Sequence, residues 1–257
     1  MQLQQAADRL WQADTHKTLC APVRDLIGSD DLKAAYAVQQ INHQKRLAAG
    51  AQVVGYKIGL TSKAVQSQLG VDQPDYGVLY HDRQLAADGS IEITELLQPK
   101  VETEVAFVLA EDLPQQDLSM AQLEAAIDYA LISLEIVGSR IANWDIHITD
   151  TIADNASASH FVLGEKAVQL DDFDLINCKM EMNLNGELVS TGTGGACLGS
   201  PLNAALWLAR QMAELGKPLR AGHVLLSGAL GPVTNVVTGD TVHAAIDGLG
   251  EVSVTFE

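Results

Sequence analysis

The chain has 257 residues, 47% of them hydrophobic and only 5% aromatic, so aliphatic side chains must fill the core of one large domain or two small ones. A formal net charge of −17, a pI of about 4.6 and the lack of any basic cluster weigh against nucleic-acid and anionic-membrane partners. No run of about 18 apolar residues suggests a transmembrane helix, and MQLQQAADRLWQAD lacks the basic start and apolar run of a signal peptide.

The first fifty residues predict helices. Leu3, Ala7, Leu10 and Trp11 follow a helical step, and Ser29 can cap a second helix with Leu32, Ala35, Val38 and Ile41 on one face and Gly50 at its end. The three cysteines, Cys20, Cys178 and Cys197, are scattered without metal spacing. They read as small hydrophobes in a reducing cytoplasm. From residue 52 the segments AQVVGYKIG, SIEIT and VETEVAFVL predict short strands. Ser119 and Gln122 form a capping box for a helix whose face holds Leu123, Ala126, Ile127, Ala130 and Leu131, before ISLEIVG returns to strand. Residues 139–159 predict a long irregular, functional stretch. KMEMNLNGELVS reads as a hairpin turning at Asn185-Gly186, and SPLNAALWLARQMAELG as a helix capped by Ser200. HVLLSGAL, DTVHAAI and EVSVTFE close the chain as strands. Strands and helices do not alternate, which favours an α+β mixed β-sandwich or roll over a doubly wound sheet. The expected division is a helical cap region, residues 1–50, on a roll of residues 51–257, forming one structural unit.

The chemistry-bearing pattern begins in VETEVAFVL. Glu102 and Glu104 share one strand face, and alone they would describe a solvated surface. Two observations weigh against that: the same face continues as Ala106 and Val108, and Glu135 sits within the apolar SLEIVG. Three carboxylates around one point would form an oxygen-rich site suited to Mg²⁺ or Mn²⁺ rather than to structural zinc. Lys57, in the apolar GYKIG, can either snorkel to solvent or lie buried, and beside a metal its pKa would fall. Asp75, after Pro74, reads either as a turn residue or as an acid/base partner of Lys57. GTGGACLGSP lacks the Walker and dinucleotide patterns and reads as a tight loop near the site. His147, His160, His223 and His243 show no ligand spacing, and Ser157 and Ser159 lack a nucleophile-elbow context.

Together GYKIGLTSKAVQSQLGVDQPDYGVL, LLQPKVETEVAFVL, SLEIVGSRIANWDI and DTIADNASASHFVLG resemble the 2-hydroxypenta-2,4-dienoate (2-keto-4-pentenoate) hydratase family of the fumarylacetoacetate hydrolase superfamily, over essentially the whole chain. The resemblance implies that family's mixed β-roll, with Glu102, Glu104 and Glu135 as ligands of a divalent metal. It implies Lys57 and Asp75 as proton-transfer residues and Ser157 as a substrate-facing residue. It further implies a small anionic 2-hydroxy-dienoate substrate, a cytoplasmic homo-oligomer (pentamer or decamer), and a place in the meta-cleavage degradation of aromatic compounds, with possible association with the pathway decarboxylase. Two related activities share the scaffold: 4-oxalocrotonate (2-oxo-3-hexenedioate) decarboxylase and 2-oxohept-4-ene-1,7-dioate hydratase. The latter needs a further cation, for which Arg140 and Lys63 are the candidates. A catalytically silent scaffold is the non-enzyme alternative, disfavoured because all three glutamates and Lys57 are retained.

Overall fold

The computed structural model of the chain describes residues 1–62, 66 and 71–257. Helices α1 (Gln2–His16), α2 (Arg24–Ile27) and α3 (Leu32–Ala48) come first. Strands β1 (Val53–Gly59), β2 (Asp75–Tyr80), β3 (Gln84–Leu85), β4 (Gly89–Ile91) and β5 (Lys100–Leu109) follow. Helix α4 (Met120–Ala126) runs directly into β6 (Ile127–Val137), and α5 (Ile148–Ala153) precedes β7 (Ala158–Leu163). The chain closes with the hairpin β8 (Lys179–Leu184) and β9 (Glu187–Thr193), helix α6 (Pro201–Glu214), and strands β10 (Val224–Leu226), β11 (Thr234–Asn235), β12 (Thr241–Ile246) and β13 (Gly250–Phe256).

Among the described residues the strands form two sheets. The larger runs β2-β1-β10-β5-β6-β7-β3, with β11 added on β5, and the smaller runs β4-β13-β12-β8-β9. Most pairs are antiparallel, but β1–β10, β3–β7 and β4–β13 are parallel. The fold is thus the expected α+β mixed sandwich. Val105 and Phe107 of β5 and Leu134 of β6 share one apolar core with Met182, Val242 and Val254 of the smaller sheet. Side chains alternate along a strand. The opposite face of the larger sheet therefore carries Glu102, Glu104 and Ala106 of β5 and Leu131, Ser133 and Glu135 of β6.

A second apolar cluster, including Leu10, Val23, Val38 and Ile152, packs α1–α3 against α5. Asp150 ties these parts together. It accepts the backbone N–H groups of Val23 (2.8 Å), Arg24 (2.9 Å) and His147 (2.9 Å), and its Oδ2 meets the Arg24 guanidinium at 2.7 Å.

Four local expectations are corrected. The cap of α3 is Asp31, whose side chain accepts the Ala34 N–H at 2.9 Å, and not Ser29. The Ser119–Gln122 capping box is present, but α4 ends at Ala126. Ile127, Ala130 and Leu131 belong to β6, which from Ala130 onward is buried on both faces, so its continuous apolar run mimics a helical stripe. Residues 139–159 are largely ordered into 3₁₀ turns and α5. Asp75 opens a fully buried strand rather than a turn. The Asn185-Gly186 hairpin is as expected, with both residues at positive φ (53° and 85°) as a two-residue turn of the mirror-image type needs.

Asp150→Ala removes the acceptor of the Val23, Arg24 and His147 N–H groups and leaves the Arg24 guanidinium with Asp145 as its carboxylate partner. It is expected to destabilise the protein by about 2–4 kcal/mol in urea unfolding.

Candidate active site

The candidate residues gather on the face of the larger sheet turned away from the smaller one. Glu102 stands directly opposite Glu135 in the β5–β6 register, and Glu104 follows two residues on. One oxygen from each of the three carboxylates lies within 4.8 Å of the others. Glu104 and Glu135 are wholly buried, whereas Glu102 opens onto a cleft. Lys57, on β1, is buried rather than snorkelling. Its Nζ is 3.2 Å from Glu135 Oε1 and donates to the Ala156 carbonyl at 3.0 Å. Asp75 is paired in register with Gly59. A Cβ on Gly59 would stand 2.2 Å from Asp75 Oδ1 and 3.4 Å from Lys57 Nζ, so the missing side chain is the space in which these two groups converge. Ser157 lies on the same cleft, buried, with its Oγ 3.1 Å from Thr151 Oγ1.

Four carboxyl groups here face one ammonium. Burial pushes Glu135 up to about 7 and Asp75 up to about 6, against the opposing pull of Lys57. Burial also raises Glu102, and raises Glu104 further, with Glu135 and Glu102 adding repulsion at Glu104. For Lys57, burial works against the charge. The combined fields of Glu135, Glu102, Asp75 and Glu104 outweigh it and hold the ammonium above its ordinary value. This is the reverse of the fall expected beside a cation, because the four carboxylates together outweigh the cost of burial.

Hydrogen bonding leaves the cluster incomplete. Glu104 Oε2 accepts the Gly228 N–H at 2.7 Å. Glu104 Oε1, both oxygens of Glu135 and Asp75 Oδ1 are buried with no hydrogen-bond partner, although Glu135 Oε1 keeps its charge contact with Lys57. Orphaned buried acceptors are costly. Together with the all-oxygen donor set they fit a hard divalent ion such as Mg²⁺ or Mn²⁺.

The cleft has a volume of about 610 Å³, and Leu60, Val137, Trp144, Ile146 and Pro232 form much of its wall. Lys100 lies on the same strand face as the glutamates, its Nζ 4.3 Å over the Trp144 ring. Arg140 is not in this wall. Its guanidinium is bound to Asp154 and to the Ala158 carbonyl. Lys63 lies outside the described residues. The loop 192–201 does pack near the site: Ala196 reaches the cleft, and Cys197 Sγ donates to the Ser227 carbonyl beside the Gly228 turn. His147, His160, His223 and His243 are absent from the cleft wall. Burial takes His160 down to about 3, so it is neutral against Arg83. The residues that sequence reasoning missed are Gly228 and Ala156, which act through backbone atoms, and Thr151 and Trp144.

Residues 53–257 match the family described as fumarylacetoacetate (FAA) hydrolase, C-terminal. The chain belongs to the fumarylacetoacetate hydrolase family. It is 54% identical to a protein named TodF product hydratase from Pseudomonas putida, over 99% of this chain and 95% of that one. It is 53% identical to 2-keto-4-pentenoate hydratase 1 of Dechloromonas aromatica, over 92% and 90% of the two chains. Among solved structures it superposes on 4-oxalocrotonate decarboxylase from Pseudomonas putida G7, complexed with magnesium and adipate, with a TM-score of 0.95 and 32% identity, covering 100% of this chain and 97% of the other.

The raised Glu135 carboxyl gives a pH prediction for the metal-stripped protein. Its folded pKa lies above its unfolded value, so its contribution to stability is fully present below about pH 4 and is lost as pH rises through about 7. Glu135→Gln removes that loss. The variant is expected to gain thermal stability relative to the wild type as pH rises from 6 to 8, measured on chelator-treated protein.

Proposed function

We propose that this protein is a metal-dependent hydro-lyase that adds water to 2-hydroxypenta-2,4-dienoate to give 4-hydroxy-2-oxopentanoate, in the meta-cleavage degradation of aromatic compounds. The observation that carries this reading is the convergence of Glu102, at the cleft, with the buried Glu104 and Glu135, whose oxygens lack partners, beside Lys57 and Asp75. In this reading the three glutamates hold Mg²⁺ or Mn²⁺. Such an ion, when bound, supplies a site for the substrate carboxylate and 2-oxygen and draws electrons toward that oxygen. That explains how a chain of net charge −17 holds a small anion.

The protein's own groups then manage protons. A proton delivered to C5, with loss of the 2-hydroxyl proton, converts the dienol into the 2-oxo-3-enoate; water then adds at C4, conjugate to the 2-oxo group, giving up one proton as C3 gains one. Lys57, held charged by its neighbours, and Asp75, with a free Oδ1, converge above Gly59 and are the pair that moves these protons. Ser157 faces the substrate from the turn that follows α5. Val137, Trp144 and Ile146 enclose the carbon chain and limit access of bulk water.

The likeness in fold to 4-oxalocrotonate decarboxylase keeps decarboxylation of 2-oxo-3-hexenedioate as a second reading. The higher identity to proteins named as hydratases favours hydration. The commitment of Arg140 to Asp154 removes one of the two cations considered for a distal carboxylate. Residues 1–50 act as a helical cap on the catalytic roll of residues 51–257. The assembly is read as a cytoplasmic homo-oligomer, pentameric or decameric, able to associate with the pathway decarboxylase. The three unpaired thiols agree with a reducing compartment, and among the described residues no helix is long and apolar enough to cross a membrane.

The test is an assay of metal-stripped protein on freshly generated 2-hydroxypenta-2,4-dienoate, with and without Mn²⁺. Metal-dependent loss of dienol absorbance with a mass gain of one water is expected. CO₂ release from 2-oxo-3-hexenedioate without hydration would favour the decarboxylase, and failure to bind Mn²⁺ would favour a silent scaffold. Glu104→Gln is expected to lower kcat by at least about a thousandfold, several kcal/mol of barrier, with an unchanged circular dichroism spectrum.

A further inference from the structure

Residues Asn155, Ala156 and Ser157 all take left-handed backbone angles, with φ of 57°, 51° and 58°. Three such non-glycine residues in a row are disfavoured and persist only where the surroundings over-determine them. The neighbours on either side are fastened. The Asp154 side chain is held by Arg140, and the Ser157 carbonyl accepts the Gly138 N–H at 2.8 Å. The first of the three, Asn155, is fastened by its own side chain. Its Oδ1 accepts the Val78 N–H at 2.8 Å and its Nδ2 donates to the Val78 carbonyl at 3.0 Å. Val78 is on β2, the edge strand of the larger sheet, so the amide takes the place of a neighbouring strand. Gly77 allows this approach: a Cβ there would stand 2.3 Å from the Asn155 carbonyl oxygen and 3.2 Å from Lys57 Cδ.

The carbonyl of the next residue, Ala156, is the backbone acceptor for Lys57 Nζ. Ala156 and Ser157 line the cleft, whereas Asn155 does not. We propose that Asn155 is a positioning residue: by clamping the left-handed turn to the edge of β2, it aims the Ala156 carbonyl at the Lys57 ammonium and fixes where that ammonium stands relative to Asp75. Lysine's four-carbon stem does not fix its head group unaided. Ala156 holds it from one side and Glu135 from the other. Without the clamp the turn relaxes toward ordinary backbone angles and the carbonyl swings away. This inference rests on the reading of Lys57 as a proton-transfer group.

The experiment compares Asn155→Gly, Asn155→Ala and Lys57→Met with the wild type in the Mn²⁺-loaded hydration assay, with thermal midpoints alongside. Glycine adopts the left-handed angles without strain, so Asn155→Gly folds even where Asn155→Ala does not. It removes the clamp and leaves the backbone free to keep its path. The expected result for Asn155→Gly is a fall in kcat of between about 10- and 100-fold, with KM within about twofold. A larger solvent deuterium isotope effect on kcat is also expected, because proton transfer becomes limiting. Wild-type kcat in Asn155→Gly would show that the asparagine merely tolerates positive φ, and a loss appearing only in KM would make it a binding contact. Either result overturns the proposal. Lys57→Met separates the two readings. Wild-type turnover in that variant would remove the role of Lys57 itself, whereas an inactive Lys57→Met beside a fully active Asn155→Gly would refute only the clamp.

Discussion

One ammonium group holds its place among four carboxyl groups, three of them buried, and much of the structure serves to make that imbalance tolerable. Uncompensated buried charge is among the most costly things a fold can carry. Here the charges come from β1, β2, β5 and β6, and the ladder registers bring them to one face. Moving any of these strands by one residue would turn its acid or its lysine into the opposite, apolar layer. Two glycines, Gly59 and Gly77, leave the volume that the lysine and its neighbours occupy. The site is therefore inseparable from the sheet that carries it.

The helices of the first fifty residues contribute indirectly. They bury apolar surface against α5 and are tied to it through Asp150. A second set of ion pairs joins them to the segment after β2: Arg83 meets Asp14 at 3.2 Å, and Arg46 meets Asp82 at 2.8 Å. The chain from α5 onward leads straight into the turn that faces Lys57. A scaffold of this kind suits more than one reaction, because hydration and decarboxylation of 2-oxo acids both need electrons drawn to the 2-oxygen. What distinguishes relatives must then lie in the walls of the cleft and in the groups that handle protons.

Much of this was legible in the sequence wherever side-chain chemistry conflicted with its surroundings. Glu102, Glu104 and Glu135 stood out because acids interrupted apolar strands, and Lys57 stood out for the same reason. Asp75 was ambiguous, because an aspartate after a proline has an ordinary explanation as a turn, and only the pairing of β2 with β1 shows otherwise. The strand from Ile127 reads as helix in part because a doubly buried strand has no period of its own, so helical spacing can be found in it. Gly228 and Ala156 were not legible at all. They act through a backbone N–H and a backbone carbonyl, which every residue has and no side chain announces. The ordered turns within residues 139–159 were hidden for a related reason: they are held by distant partners such as Val78 and Gln98 rather than by local pattern.

The order of strands has a consequence for synthesis. β10 lies between β1 and β5 in the larger sheet, yet it is made long after both. Until the ribosome, adding about 5–20 residues per second, has passed Leu226, the nascent chain carries a slot bounded by two unpaired strand edges. The β1 edge beside that slot bears Lys57, and the β5 edge bears both Glu102 and Glu104. Lys57 and these two glutamates are therefore joined through one sheet only once β10 is in place.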